Sequence, residues 1–182
     1  MSDPTISMRV SVTPAGPQGM VTLRGDLTNL ASAIGAVTGH DMPDTRRVSG
    51  GLGGGVAWMS PDELLLFCPH ARADHVVDEL SAELADMHHL AVNVSDARTV
   101  FTIEGPDARD LLAKLSPVDL APSAFAPGEL RRTRLSQVAA AFWMAGPETF
   151  HLIAFRSVDM YVADLLQTAA EGAVLGLHTP GR

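Results

Sequence analysis

Residues 57–63 read AWMSPDE and residues 142–148 read FWMAGPE, and each stretch precedes an apolar run. The chain thus resembles itself at an offset of about 80 to 86 residues, with its two tryptophans in equivalent places. Residues 21–26 (VTLRGD) and 101–107 (FTIEGPD) repeat at a similar offset, and a helical pattern follows each of them. Self-similarity at a fixed period indicates a duplicated structural unit.

Both halves of the chain predict the same order of elements. Each gives a strand ending at glycine, a helix, a loop with Pro and Gly, a hairpin that contains the tryptophan, a second helix and a closing strand. We therefore predict an α+β fold, a single domain over residues 1–182 built of two pseudo-repeats at about 18–95 and 96–180. The connectivity within each repeat is that of a split β-α-β unit.

Apolar spacing and capping residues predict the individual elements. Asp74 is the expected N-cap of one helix and Ser157 of another. A third helix is predicted over 106–116, with Pro106 in its first turn. The apolar stripes of the first two helices are Val76, Val77, Leu80 and Leu84, and Tyr161, Val162, Leu165 and Leu166. The strongest strand predictions cover 64–67, 91–94, 100–103 and 138–142.

Charge and composition argue against several classes of protein. A net charge of −8 would repel a phosphate backbone, so we expect no nucleic-acid partner. No apolar run reaches the roughly 18 residues of a membrane span. The one cysteine, Cys68, cannot form an internal disulfide, and the N-terminal sequence lacks the features of a secretory signal, so we expect a cytoplasmic protein.

The surface is expected to be poor in charge. Apolar residues make up 46% of the chain and charged residues only 19%. This composition predicts contact surface that is covered by other chains, and self-association when the chain is isolated.

Several apparent sites have a structural explanation that we favour. Residues 49–55 (SGGLGGG) could cradle a phosphate, but no Lys-Ser or Lys-Thr follows and a strand comes next, so we predict the flexible entry to a hairpin. His88-His89 lacks the spacing of a metal site, and Cys68 lacks a partner for catalysis. We therefore predict no catalytic, cofactor-binding or metal-binding residue.

Four residues are predicted to serve packing or contact with another chain. Trp58 and Trp143 could stack a cofactor, but their repeat-equivalent placement at strand starts favours core or interface packing. Arg98 belongs to the polar segment 94–99 (VSDART), for which a structural corner and an interface anchor both stay open. Arg156 would reach outward if Ser157 caps the following helix.

Three motifs, in this order and spacing, resemble the gamma subunit family of heterotetrameric sarcosine oxidase. They are Trp58-x-x-Pro61-Asp62-Glu63-x-Leu65-Leu66, then residues 94–99, then Gly105-Pro106-x-Ala108-Arg109-x-Leu111-Leu112-x-Lys114. The similarity runs from about Arg46 to Leu166. That family is in turn similar to the tetrahydrofolate-binding domain of the glycine-cleavage aminomethyltransferases, whose fold is an internally duplicated α+β unit.

The resemblance implies a non-catalytic assembly subunit of a complex that oxidises sarcosine. Such a complex forms glycine, hydrogen peroxide, and formaldehyde or methylene-tetrahydrofolate. The chemistry lies in other subunits: NAD and folate with alpha, FAD with beta, FMN at their junction and zinc with delta. The chain itself is then not expected to have an active site. The partners implied are the alpha, beta and delta subunits.

Two other functions stay open at this stage. One is a stand-alone folate-binding, aminomethyltransferase-like enzyme, and the other is a folate-binding module without catalysis. Tetrahydrofolate would raise the melting temperature in both cases, which separates them from the assembly role.

Overall fold

The structure, a computed structural model, describes residues 8–172 and 174–178. In chain order the elements are β1 Ser11–Pro14, β2 Gly19–Gly25, α1 Leu27–Thr38, β3 Val48–Gly51, β4 Gly54–Ser60, β5 Glu63–Cys68, α2 Ala73–Glu83, β6 His89–Asn93, β7 Arg98–Glu104, α3 Ala108–Leu115, β8 Leu130–Leu135, β9 Val138–Gly146, β10 Thr149–Phe155 and α4 Asp159–Glu171. Short 3₁₀ turns precede α2, β7 and α4.

The chain divides into two compact units. The middle unit comprises residues 16–99 with 128–130. The terminal unit comprises, in its described part, residues 8–15, 100–127, 131–172 and 174–178. Each unit contains a five-stranded sheet and two α-helices, which is the mixed α and β content that the sequence predicts.

The sheet of the middle unit has the strand order β3-β4-β5-β2-β6. Each strand of this sheet pairs antiparallel with its neighbours. Since successive side chains of a strand point to opposite faces, alternate residues of β2 and β5 face α1 and α2. The resulting core includes Val21, Leu23, Leu30, Ile34, Val56, Leu64, Leu66, Val76 and Leu80, all buried.

The sheet of the terminal unit has the order β1-β7-β10-β9-β8. Its core lies between the sheet and the helices α3 and α4, whose buried side chains include Leu111, Leu112, Val162 and Leu166. Phe125, Phe142 and Phe150 pack together there, with ring centroids 5.7 to 6.5 Å apart. Three mutually packed aromatic rings bury a large apolar area at the middle of this core.

The predicted closing strand of the second half is wrong for the described residues. Residues 174–178 form no strand. Instead β1, from the start of the chain, pairs antiparallel with β7, with Val12 opposite Ile103. The two sheets therefore have corresponding strand orders, β3-β4-β5-β2-β6 and β8-β9-β10-β7-β1, but the last edge strand comes from a different part of the chain. Pairing with β1 satisfies backbone groups of β7 that would otherwise lie at an edge.

Two predicted helix caps are also wrong. Asp74 lies inside the first turn of α2, where its Oδ1 accepts a hydrogen bond of 2.7 Å from Asn93 Nδ2. Ser157 lies in the 3₁₀ turn before α4, and no side chain caps that helix. In both places a 3₁₀ turn leads into the helix, so Asp74 and Ser157 lie within helical or 3₁₀ backbone rather than at the position before it. The predicted strands at 64–67, 100–103 and 138–142 are confirmed, and the strand predicted at 91–94 ends one residue early, at Asn93.

Candidate functional site

The two tryptophans do not occupy equivalent positions. Trp58 is half-buried and packs against the core of the middle unit. Trp143 is 1% exposed, while its neighbours Phe142 and Met144 belong to the core of the terminal unit. Trp143 therefore points to the opposite face of its sheet. Neither residue begins its strand, and a one-residue difference between the hairpins changes the face on which the tryptophan lies.

Trp143 packs beside a half-buried imidazole. Its ring centroid lies 5.1 Å from that of His151, the residue opposite it on β10. His151 Nδ1 lies 3.2 Å from Thr102 Oγ1. Burial lowers the pKa of His151 below its ordinary value, because the charged imidazolium would lose hydration there.

The segment 94–99 forms a structural corner. Residues 95–97 make a 3₁₀ turn between β6 and β7. Ser95 is buried; its Oγ accepts from Met20 N at 2.9 Å and donates to Asn93 Oδ1 at 2.6 Å. Arg98 is half-buried at the start of β7. That Arg98 contacts another chain stays a prediction.

Arg156 lies on an exposed apolar surface that sequence reasoning largely missed. Phe155, Met160 and Tyr161 are 49%, 77% and 44% exposed, and Arg156 is exposed beside them. We call these four residues the β10–α4 surface. The sequence placed Tyr161 in the buried stripe of its helix, but only Val162 and Leu166 of that stripe are fully buried. The sequence did carry one indication of this surface: Met160 is apolar but does not lie on the same helix face as Val162 and Leu166.

A second group of exposed apolar residues lies along the edge of the middle unit's sheet. Leu90 and Val92 on β6 are 52% and 39% exposed, and Met87 just before the strand is 38% exposed. β6 is an edge strand of that sheet. Apolar edge strands favour pairing with another chain.

The apparent nucleotide and metal sites have structural explanations. The glycine run at 49–55 forms the β3–β4 hairpin itself rather than its entry. Cys68 is buried at the end of β5, and burial raises the pKa of its thiol. His88 is exposed, and within residues 8–172 and 174–178 no three His, Cys, Asp or Glu side chains are placed to hold a metal ion.

Two carboxylates at the start of helix α3 bind backbone groups from both ends of the described chain. The buried Asp107 accepts a hydrogen bond of 2.7 Å from Arg9 N through Oδ2. The buried Asp110 accepts from Gly176 N and His178 N, at 2.9 Å each. A carboxylate that accepts two backbone N–H groups makes charge-assisted hydrogen bonds, which fix the segment 174–178 against α3.

A cavity of about 400 Å³ lies in the terminal unit beside α3. Arg109 lines it, and its Nη1 donates to Leu120 O at 2.8 Å, while Nη2 lies 3.0 Å from Met144 Sδ. The guanidinium carbon lies 5.7 Å from the centroid of the Phe150 ring. Burial lowers the pKa of Arg109 below its ordinary value.

No helix within the described ranges is long and apolar enough to cross a membrane.

Comparison with known proteins identifies the family of the chain. The model of the sarcosine oxidase gamma subunit family matches residues 24–172. The chain belongs to this family. A curated relative, the sarcosine oxidase subunit gamma of Corynebacterium sp. (strain P-1), is 31% identical over 124 residues, which are 67% of this chain. The match spans only 60% of the relative's own length.

Solved structures agree with membership of the sarcosine oxidase gamma subunit family. A chain of the heterotetrameric sarcosine oxidase from Corynebacterium sp. U-96 matches with a TM-score of 0.80 and 25% identity, over 91% of this chain and 86% of that chain. The glycine cleavage system aminomethyltransferase T from Bartonella henselae matches with a TM-score of 0.64 over 91% of this chain and 50% of that chain. At 12% identity the second likeness concerns the fold alone. It confirms the predicted aminomethyltransferase-like fold.

Proposed function

We propose that this chain is the gamma subunit of a heterotetrameric sarcosine oxidase, in which it acts as a non-catalytic assembly subunit. The observation that carries the proposal is the family match over residues 24–172. The likeness to a chain of a heterotetrameric sarcosine oxidase, at a TM-score of 0.80, also supports it. In this proposal the partners are the alpha, beta and delta subunits.

The complex would demethylate sarcosine oxidatively to glycine, with hydrogen peroxide and either formaldehyde or methylene-tetrahydrofolate as further products. FAD, FMN, NAD, tetrahydrofolate and zinc would be held by the other subunits, and the complex would lie in the cytoplasm. The gamma chain would contribute contact area that fixes the geometry of its partners.

The β10–α4 surface is the part of this chain that we assign to subunit contact. Met160 at 77% exposure and Phe155 at 49% present apolar area to water, and Arg156 lies beside them. Large apolar side chains together with arginine are the composition of interface centres. Burial against a partner would remove this apolar area from water, and we expect the isolated chain to self-associate through the same surface.

Affinity purification of the tagged chain from its native cells tests the assembly role. We expect three other chains in equal amounts, identified by mass spectrometry, and a yellow complex that absorbs near 450 nm. A colourless chain recovered alone would contradict the proposal. Cell fractionation of the same tagged strain checks the cytoplasmic location.

A matched pair of variants tests the contact surface. Met160→Asp places a charge on the surface, whereas Thr168→Asp places the same charge at another exposed position of α4. We expect Met160→Asp to reduce recovery of the other chains and to shift the isolated protein toward monomer in sedimentation. Thr168→Asp is expected to leave both unchanged. If the other chains are recovered equally with both variants, the β10–α4 surface is not part of the subunit interface, although the assembly role would still stand.

A further inference from the structure

The cavity beside α3 contains a cation whose charge no carboxylate of the described chain balances. Among residues 8–172 and 174–178, no Asp or Glu oxygen lies within ion-pair distance of the Arg109 guanidinium. Its two hydrogen-bond acceptors there are one carbonyl oxygen, of Leu120, and one thioether sulfur, of Met144. A thioether is a weak acceptor, so most of the donor capacity of this side chain is not used by strong partners.

Arg109 carries this charge in surroundings that favour an anion. The side chain is half-buried, and the loss of hydration lowers its pKa. The lowered pKa means that burial makes the charged form of the side chain less stable. Arginine nonetheless stays protonated in proteins. An anionic group within hydrogen-bond distance would offset that cost, and a carboxylate matches the planar fork of a guanidinium.

The other walls of the cavity are mainly apolar. Met144 and Phe150 are buried core residues that also line the cavity. The rest of the lining is mostly small or cyclic, including Ala126, Pro122, Pro127 and Pro147, and its polar exceptions are Glu148 and His178. A volume of about 400 Å³ lies within the range of small-molecule sites. Glu148 is exposed, so its charge acts from the solvent side.

We propose that this cavity is a binding site for a small organic carboxylate, with the carboxylate on Arg109 and the apolar body of the ligand against Ala126 and Pro147. The site lies wholly within the terminal unit and does not depend on the assembly role. Arg109 would serve as the anion anchor, and Ala126 and the prolines would limit the size of the bound molecule.

Titration of the purified full-length chain with benzoate and benzamide tests the site, because the two probes share a ring and differ in charge. We expect calorimetry to detect benzoate binding that weakens with added salt, and benzamide to bind at least about tenfold more weakly. Arg109→Gln is expected to reduce benzoate affinity about tenfold or more. Glu148→Gln removes a negative charge from the cavity lining and is expected to strengthen benzoate binding.

Arg109→Gln could disturb the fold because it also breaks the hydrogen bond to Leu120, so a second pair of variants leaves Arg109 in place. Ala126→Phe fills the cavity and is expected to abolish benzoate binding, whereas Ala126→Ser is expected to change affinity less than about twofold. Equal affinity for benzamide and benzoate would overturn the proposal. Unchanged benzoate binding by Ala126→Phe, or no benzoate binding at tens of millimolar, would overturn it as well.

Discussion

At the scale of single residues, close backbone approach explains the glycines of the β3–β4 hairpin. Gly50 has φ of +80°, and a Cβ on it would lie 2.5 Å from Gly54 O. A Cβ on Gly55 would lie 2.6 Å from Gly51 N. Both distances are shorter than a carbon atom tolerates, so the run serves backbone packing in the hairpin. A Cβ on Gly53, by contrast, would meet nothing within 4 Å.

Gly50→Ala and Gly53→Ala therefore form a matched pair. We expect Gly50→Ala to lower the free energy of unfolding by about 1–3 kcal/mol, because a side chain is forced into the left-handed region against Gly54. Gly53→Ala is expected to raise it by up to about 1 kcal/mol, since the unfolded chain loses freedom. Urea unfolding measures both. No loss of stability in Gly50→Ala would mean that the hairpin tolerates a side chain at Gly50.

His151 predicts a pH dependence of stability. Its pKa is lowered in the folded chain, so below about pH 6.5 the unfolded state takes up a proton that the folded state does not. Stability should therefore fall as the pH drops from about 7 toward the folded pKa. We expect His151→Gln to reduce the fall in stability between about pH 7 and 5. His88→Gln, a control at an exposed position, is expected to show the same fall as the wild type. Identical pH profiles of unfolding for wild type and His151→Gln would contradict the prediction.

At the scale of elements, β1 completes a sheet to which the rest of its unit contributes four strands. Val12 is half-buried against the core of the terminal unit, opposite Ile103 of β7, whereas Thr13 is exposed. The alternation of a strand thus places one residue in the core and the next in water. Gly105 supports this arrangement, since any Cβ on it would collide with Arg9 O.

Val12→Asp and Thr13→Asp introduce the same charge into β1, at a position that packs against the core and at an exposed position. We expect Val12→Asp to lower the free energy of unfolding by about 2 kcal/mol, because apolar contact is lost and a carboxylate is placed at the core. Thr13→Asp is expected to change it by less than about 0.5 kcal/mol. Denaturant unfolding, with hydrogen exchange of the Thr102 amide on the β1 side of β7, measures the effect. Equal small effects would show that β1 contributes little to the sheet.

At the scale of the whole molecule, the terminal unit is interrupted in sequence by the middle unit. β1 precedes residues 16–99, and β7 follows most of them. The pairing of β1 with β7 therefore closes a long loop, and a compact fold of the intervening residues lowers the entropy that this closure costs. For this reason we retain the proposal that residues 1–182 form a single folding domain.

A single domain predicts one cooperative unfolding transition. Circular dichroism and tryptophan fluorescence should give coincident curves, because Trp58 and Trp143 belong to different units and report on both. Single-tryptophan variants, Trp58→Phe and Trp143→Phe, follow each unit separately. Fluorescence and circular dichroism midpoints that differ within either variant would mean that the units unfold independently.

The sequence by itself determined the fold class, most elements and the family. Hydrophobic periodicity is local, so β5, β7, β9 and the helices could be located from it. Motif order over about 120 residues likewise predicted the gamma subunit family, which the family match confirms.

Only the tertiary structure decided features that depend on distant segments. The face of Trp143 depends on strand register, and a slip of one residue reverses it. The last edge strand came from residues 11–14, since any segment with suitable pairing and an apolar side can complete a sheet. The cavity around Arg109 and the exposure of Met160 likewise depend on which segments pack nearby. No local pattern records such contacts, because they join residues that are far apart in the chain.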